Sequence, residues 1–167
     1  MSPSLLLYIG LMIFTNYIFY VVAISLINKR FNKIHINILA VLYFAVVILL
    51  SFFKSSFNFT GMNLNPFTMI NDFKNYYKLT LLLVVSNTVI YLPLGVFIRF
   101  KIKIKIPKLI GGFLLYIVFV ETLQYVSHTG IFDINDIILN TLGFVIGVYS
   151  YNLINRHNIN YKQLGNE

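Results

Sequence analysis

Long apolar runs separated by short polar or basic connections organise this chain. Leu5 to Ile27 is uncharged, and at about 1.5 Å rise per residue it covers roughly 34 Å, enough for a hydrocarbon core of about 30 Å. No basic segment precedes it, it exceeds the apolar stretch of a signal peptide, and Ala23-Ile24-Ser25 is only a weak cleavage match, so a spanning helix is expected. Ile36 to Phe53 is a second, shorter run closed by Lys54, and the polar stretch Ser55 to Lys78 reads as a long loop. Leu79 to Ile98 carries Asn87 and Pro93 inside it; the proline, having no amide hydrogen, is expected to kink the helix. Leu109 to Ser127 and Ile134 to Ile154 complete the pattern. The expectation is an all-α integral membrane protein, a bundle of five spans at 5–27, 36–53, 79–98, 109–127 and 134–154.

Composition agrees. The 167 residues are 58% hydrophobic, 17% aromatic and 11% charged, against about 25% charged in soluble domains. No linker or internal repeat divides the chain, so 1–167 reads as a single domain. The absence of cysteine removes disulfides, thiolate ligands and cysteine nucleophiles, and no other pattern in the sequence names a cofactor. A net charge of +8 raises nucleic acid as a partner, but no basic, aromatic-interleaved soluble face accompanies it, and basic loops of a membrane protein explain it better. In alternate connections, ten of the 13 basic residues fall on one side and only Lys54, Lys74 and Lys78 on the other. Cytoplasmic segments retain the excess, so the N-terminus is expected outside and the C-terminus in the cytoplasm. The run Arg99 to Lys108, alternating Lys with Ile, reads first as a topogenic loop and second as a patch for anionic lipid.

The polar residues inside the spans carry the chemistry. Glu121 and Gln124 share a face of the fourth span, and Asn87 shares one of the third with Thr80 and Tyr91. Asp133, Asp136 and Asn140 lie within about 60° of one face of the fifth, and Gly143 and Gly147 continue that stripe. Small residues four apart let a neighbouring backbone approach, so this face is expected to pack inside the bundle. An intramembrane carboxylate is costly and points to a site; the plainer alternative is that these groups only bond between helices, with Asp133 or Asp136 capping the fifth helix. The expected binding set is Asn87, Glu121, Gln124, Asp133, Asp136 and Asn140, meeting in one outward-facing cavity. His128, on the Glu121 face, reads as a surface residue, and no serine triad, zinc motif or phosphate loop is present.

Asn87-Thr-Val-Ile-Tyr-Leu-Pro-Leu-Gly95, Glu121-Thr-Leu-Gln124 and Asp133-Ile-Asn-Asp136-Ile-Ile-Leu-Asn140-Thr-Leu-Gly143 resemble the successive motifs of VanZ-like proteins. Asn63-Leu-Asn-Pro66-Phe67 is similar to that family's short Asn/Pro/Phe motif, so the resemblance runs from about residue 40 to 150. Asn135 and Gly130 stand where family members often carry Asp and Arg, against a mechanism needing three clustered carboxylates or a fixed arginine. The resemblance implies a multi-pass protein of the bacterial cytoplasmic membrane, whose name-giving relatives are associated with reduced susceptibility to teicoplanin-type glycopeptides. Two functions follow. In one, the cavity binds a lipid-linked cell-wall precursor, a related amphiphile or a glycopeptide-related ligand. In the other, a membrane enzyme uses Glu121 as acid or base, with Asp133 and Asp136 as candidate metal ligands. Transport fits less well, because the polar residues gather at one end of the spans.

Overall fold

A computed structural model describes Tyr17 and residues 33–53 and 61–164. Along these the elements run α1 (Lys33–Phe53), β1 (Met62–Asn63), α2 (Thr68–Asn75), α3 (Tyr77–Lys101), α4 (Ile106–Val126), β2 (Phe132–Asp133) and α5 (Ile134–Leu164). Apart from Tyr17, the span expected at 5–27 lies outside the described residues. Tyr77–Lys101, Ile106–Val126 and Ile134–Asn155 are each long and apolar enough to cross a membrane. The chain is therefore an all-α membrane protein.

Two features differ from the sequence reading. The segment 55–78 is not loop throughout: it holds β1 and the eight-residue α2, separated from α3 only by Tyr76, whose backbone leaves the helical region. The last helix continues past residue 154 to Leu164. Pro93 lies within one uninterrupted helix, α3. Proline leaves carbonyls of the preceding turn short of partners, and the Tyr43 hydroxyl from α1 donates to the Ile90 carbonyl there.

The tightest seam joins α3 to α5, and it has no side chain at three positions. A Cβ at Gly95 would collide with the Phe144 carbonyl, one at Gly143 with the Thr88 carbonyl, and one at Gly147 with the Leu92 carbonyl. The pairs advance together along both helices, so α3 and α5 run parallel, with α4 returning between them. Close backbone approach replaces the hydrophobic drive that lipid cannot supply. The interior face expected at Gly143 and Gly147 is this seam.

Beside it lies an aromatic layer. Phe113 of α4 stacks on Phe144 of α5 at 4.2 Å and 5°, Tyr91 of α3 meets Phe113 edge-on at 5.2 Å, and Tyr116 reaches Phe44 of α1 at 6.0 Å. At one end of this layer, Arg99 Nε donates to Asn152 Oδ1 at 2.9 Å, Lys101 Nζ to Asn37 Oδ1 at 2.9 Å and Lys103 Nζ to the Tyr151 hydroxyl at 3.1 Å. That is the basic end of the bundle. The other end is polar and carries the candidate site.

Candidate functional site

A chain of turns builds the polar end. Asn63 Oδ1 accepts from the Asn65 amide at 3.3 Å, and Asn65 Oδ1 accepts from the Phe67 amide at 3.0 Å. Such side-chain-to-backbone bonds two residues on are what asparagine supplies to tight turns, with Pro66 fixing the backbone between. The Asn65 carbonyl then takes the Thr68 hydroxyl at 2.9 Å. This aims Thr68 at the start of α5, where Asn135 Nδ2 donates to its hydroxyl oxygen at 3.0 Å.

β1 and β2 pair in parallel with Asn63 opposite Asp133. Asn63 Nδ2 donates to Asp133 Oδ1 at 3.1 Å. The same oxygen accepts the Asn135 backbone amide at 2.8 Å and the Asn135 side-chain amide at 3.1 Å. Asp133 thus caps α5 at its second residue, as a carboxylate at a helix N-terminus does, and it also ties the 61–68 segment to the bundle. Three N–H groups converge on Oδ1, as they do on a carboxylate that caps a helix and ties down a neighbouring turn.

Glu121 is buried in α4, and its Oε2 accepts from the Asp133 backbone amide at 3.4 Å. Asn87, buried in α3, donates through Nδ2 to Asp136 Oδ1 across the parallel seam. Gln124 is buried beneath the turn that ends α4. Its carbonyl accepts the Thr129 and Gly130 amides at 2.9 and 3.2 Å, and a Cβ on Gly130 would press on its side chain. That turn is a Schellman closure: Thr129 bonds back to Gln124 and His128 to Tyr125, with His128 in the left-handed region at φ 56°, where glycine is usual. His128 is exposed and lies beyond the helix, so it does not share the Glu121 face.

Asn140 is 5% exposed, one turn deeper than Asp136, and its Oδ1 has no hydrogen-bond partner among the described residues; the Thr141 hydroxyl is orphaned likewise. A buried acceptor left unmatched costs about 1–3 kcal/mol, more where no water reaches it.

Three helices and a strand therefore bring the six expected residues to one end of the bundle, four of them joined in two hydrogen-bonded pairs, Asn87 with Asp136 and Glu121 with the Asp133 backbone amide. Thr80, read with Asn87 as part of a polar stripe, spends its hydroxyl on the carbonyl of Tyr76, the residue just before its own helix, at 3.1 Å. Asn63, Thr68 and Asn135 were outside the expected set. Their sequence signal was the Asn-x-Asn-Pro turn chemistry and an amide two residues beyond a capping Asp. Among the described residues no group of three or more His, Cys, Asp or Glu gathers as a metal site.

Fold and site together define an all-α membrane protein with carboxylates and amides paired inside its bundle. A sequence model of the family described as VanZ/LLP1 matches residues 40–155. The chain is also 31% identical over 136 residues to Protein VanZ of Enterococcus faecium, covering 75% of this chain and 78% of that one. No solved structure matches. The chain belongs to the VanZ-like family.

Proposed function

We propose that this protein is a multi-pass protein of the bacterial cytoplasmic membrane, of five spans with the N-terminus outside. Its polar end binds a lipid-linked cell-wall precursor or related amphiphile in the outer leaflet and so lowers susceptibility to teicoplanin-type glycopeptides. The ten-to-three division of basic residues supports the orientation, because the basic end of the bundle then faces the cytoplasm. Membership of the VanZ-like family supports the glycopeptide connection.

The observation that carries the binding reading is the orphaned Asn140 Oδ1 beside the Asn87–Asp136 pair. An acceptor sealed in a bundle without a partner fits a site whose ligand brings a hydrogen-bond donor. The three N–H donors on Asp133 Oδ1 support a capping role for that oxygen. Glu121→Gln tests the reading, since it keeps shape and hydrogen bonding and removes only the charge. The variant is expected to reach the membrane at wild-type level and to lose the teicoplanin protection conferred by the wild-type gene in a susceptible host. Full protection from the well-expressed variant rejects a required carboxylate.

A further inference from the structure

Leading into the first of the three long helices, the segment from Met62 to Tyr77 displays large apolar side chains that are exposed among the described residues. Leu64, Phe67 and Tyr76 are 64%, 69% and 66% exposed, and Met62, Ile70 and Tyr77 are exposed as well. An aqueous loop is not built this way; contiguous exposed apolar surface marks an interaction face.

Within the segment, α2 is amphipathic. Met69, Ile70 and Phe73 fall within an arc of about 100°, and Thr68, Asp72 and Asn75 take the opposite side. None of its residues is fully buried; Met69 and Phe73 are half-buried and Ile70 is exposed, so among the described residues the apolar arc is only partly covered. The Phe73 ring lies 6.1 Å from that of Tyr77, which continues the face onto the start of α3. From there it joins the exposed Leu81 and Val85, one and two turns on along a helix with the length and hydropathy of a membrane span. The 25 residues of α3 measure about 37 Å at 1.5 Å each, longer than a core of about 30 Å. Its Tyr77 end therefore reaches the head-group layer, where tyrosines gather, and α2, one residue away, sits at the same depth.

We infer that the segment 62–77 is a lip seated in the lipid head-group layer at the polar end of the bundle, with Phe67, Ile70 and Phe73 against the acyl chains. The occupant of this face is bilayer lipid. The two-residue pairing of β1 with β2 and the Thr68–Asn135 bond hold the lip against Asp133. An amphiphile approaching the polar cluster along this side keeps its tail in the leaflet.

The chain has no tryptophan, so a single introduced indole reports alone. Ile70→Trp and Asp72→Trp place it about 160° apart on α2. In vesicles of phosphatidylcholine brominated near the head of the acyl chain, Ile70→Trp is expected to emit blue-shifted and to be quenched. Asp72→Trp is expected to keep water-like emission and its intensity. Phe67→Trp, in the turn before α2, is expected to follow Ile70→Trp and serves as a second reading should one variant fail to fold. Water-like, unquenched emission from Ile70→Trp and Phe67→Trp overturns the inference. So does a blue shift that grows with protein-to-lipid ratio without bromine quenching, which assigns the face to a second copy of the chain.

Discussion

Asn140 gives the sharpest contrast between holding a bundle together and waiting for a ligand. An amide that only bridged helices would contribute to stability, by about 0.6 kcal/mol on average inside membranes. Asn140 Oδ1 instead has no partner among the described residues, so removing it should help the fold. Asn140→Leu is expected to raise stability by about 1–3 kcal/mol, read as a higher melting temperature in detergent, while abolishing glycopeptide protection. A lowered melting temperature would return Asn140 to a structural role. Much of this cluster was legible in the sequence, because an ionisable or amide side chain in an apolar run stands out: Glu121, Gln124, Asn87 and Asn140 were visible for that reason. Asn63 and Thr68 were not, since polar residues in a polar segment carry no such contrast, and Asn135, at the mouth of the fifth span, gains its long-range partner Thr68 only where β1 pairs with β2. His128 misled for a related reason: helical spacing from Glu121 implies a shared face only while the helix continues, and α4 ends at Val126.

Among the elements, the parallel α3–α5 seam is the least tolerant. Even alanine at Gly143 sets a Cβ into the Thr88 carbonyl, and backbone cannot rotate aside as a side chain does. Gly143→Ala is expected to destabilise by about 1–3 kcal/mol, and Gly143→Leu by more. Gly111→Ala in α4, where a Cβ meets nothing within 4 Å, is the matched control and is expected to stabilise by about 0.5–1 kcal/mol through helix propensity. Equal melting of the three would place the helices further apart than described. The long helices were readable from apolar run length, with starts that moved by up to three residues because interfacial residues such as Tyr77 and Ile106 are compatible with helix and loop alike, while the last helix runs ten residues past its apolar stretch to Leu164. α2 escaped notice because eight residues are too few for a periodic signal to rise above the polar residues around them.

For the whole molecule, polarity is arranged by layers: paired carboxylates and amides, then aromatic rings, then lysines and Arg99. Layering of this kind makes orientation testable, and the cysteine-free sequence leaves any introduced thiol as the sole target. With Cys at the exposed positions Asn71 and Lys105, a membrane-impermeant maleimide added to intact cells is expected to label Asn71→Cys and spare Lys105→Cys. The reverse pattern would move the polar cluster to the cytoplasmic side and end its assignment to an outer-leaflet ligand. Both halves of the seam also depend on segments far apart in the chain. Asn87 finds Asp136 across 49 residues, which at about 5–20 residues per second take about 2–10 s to synthesise. During that interval α3 enters the bilayer before Asp136 is available to Asn87 and with its Gly95 face uncovered, until the ribosome delivers α5. Biogenesis therefore contains an obligatory wait, during which α3 and α4 depend on the insertion machinery to shelter them, and a nascent chain arrested before Asp136 is expected to be a substrate for membrane proteolysis.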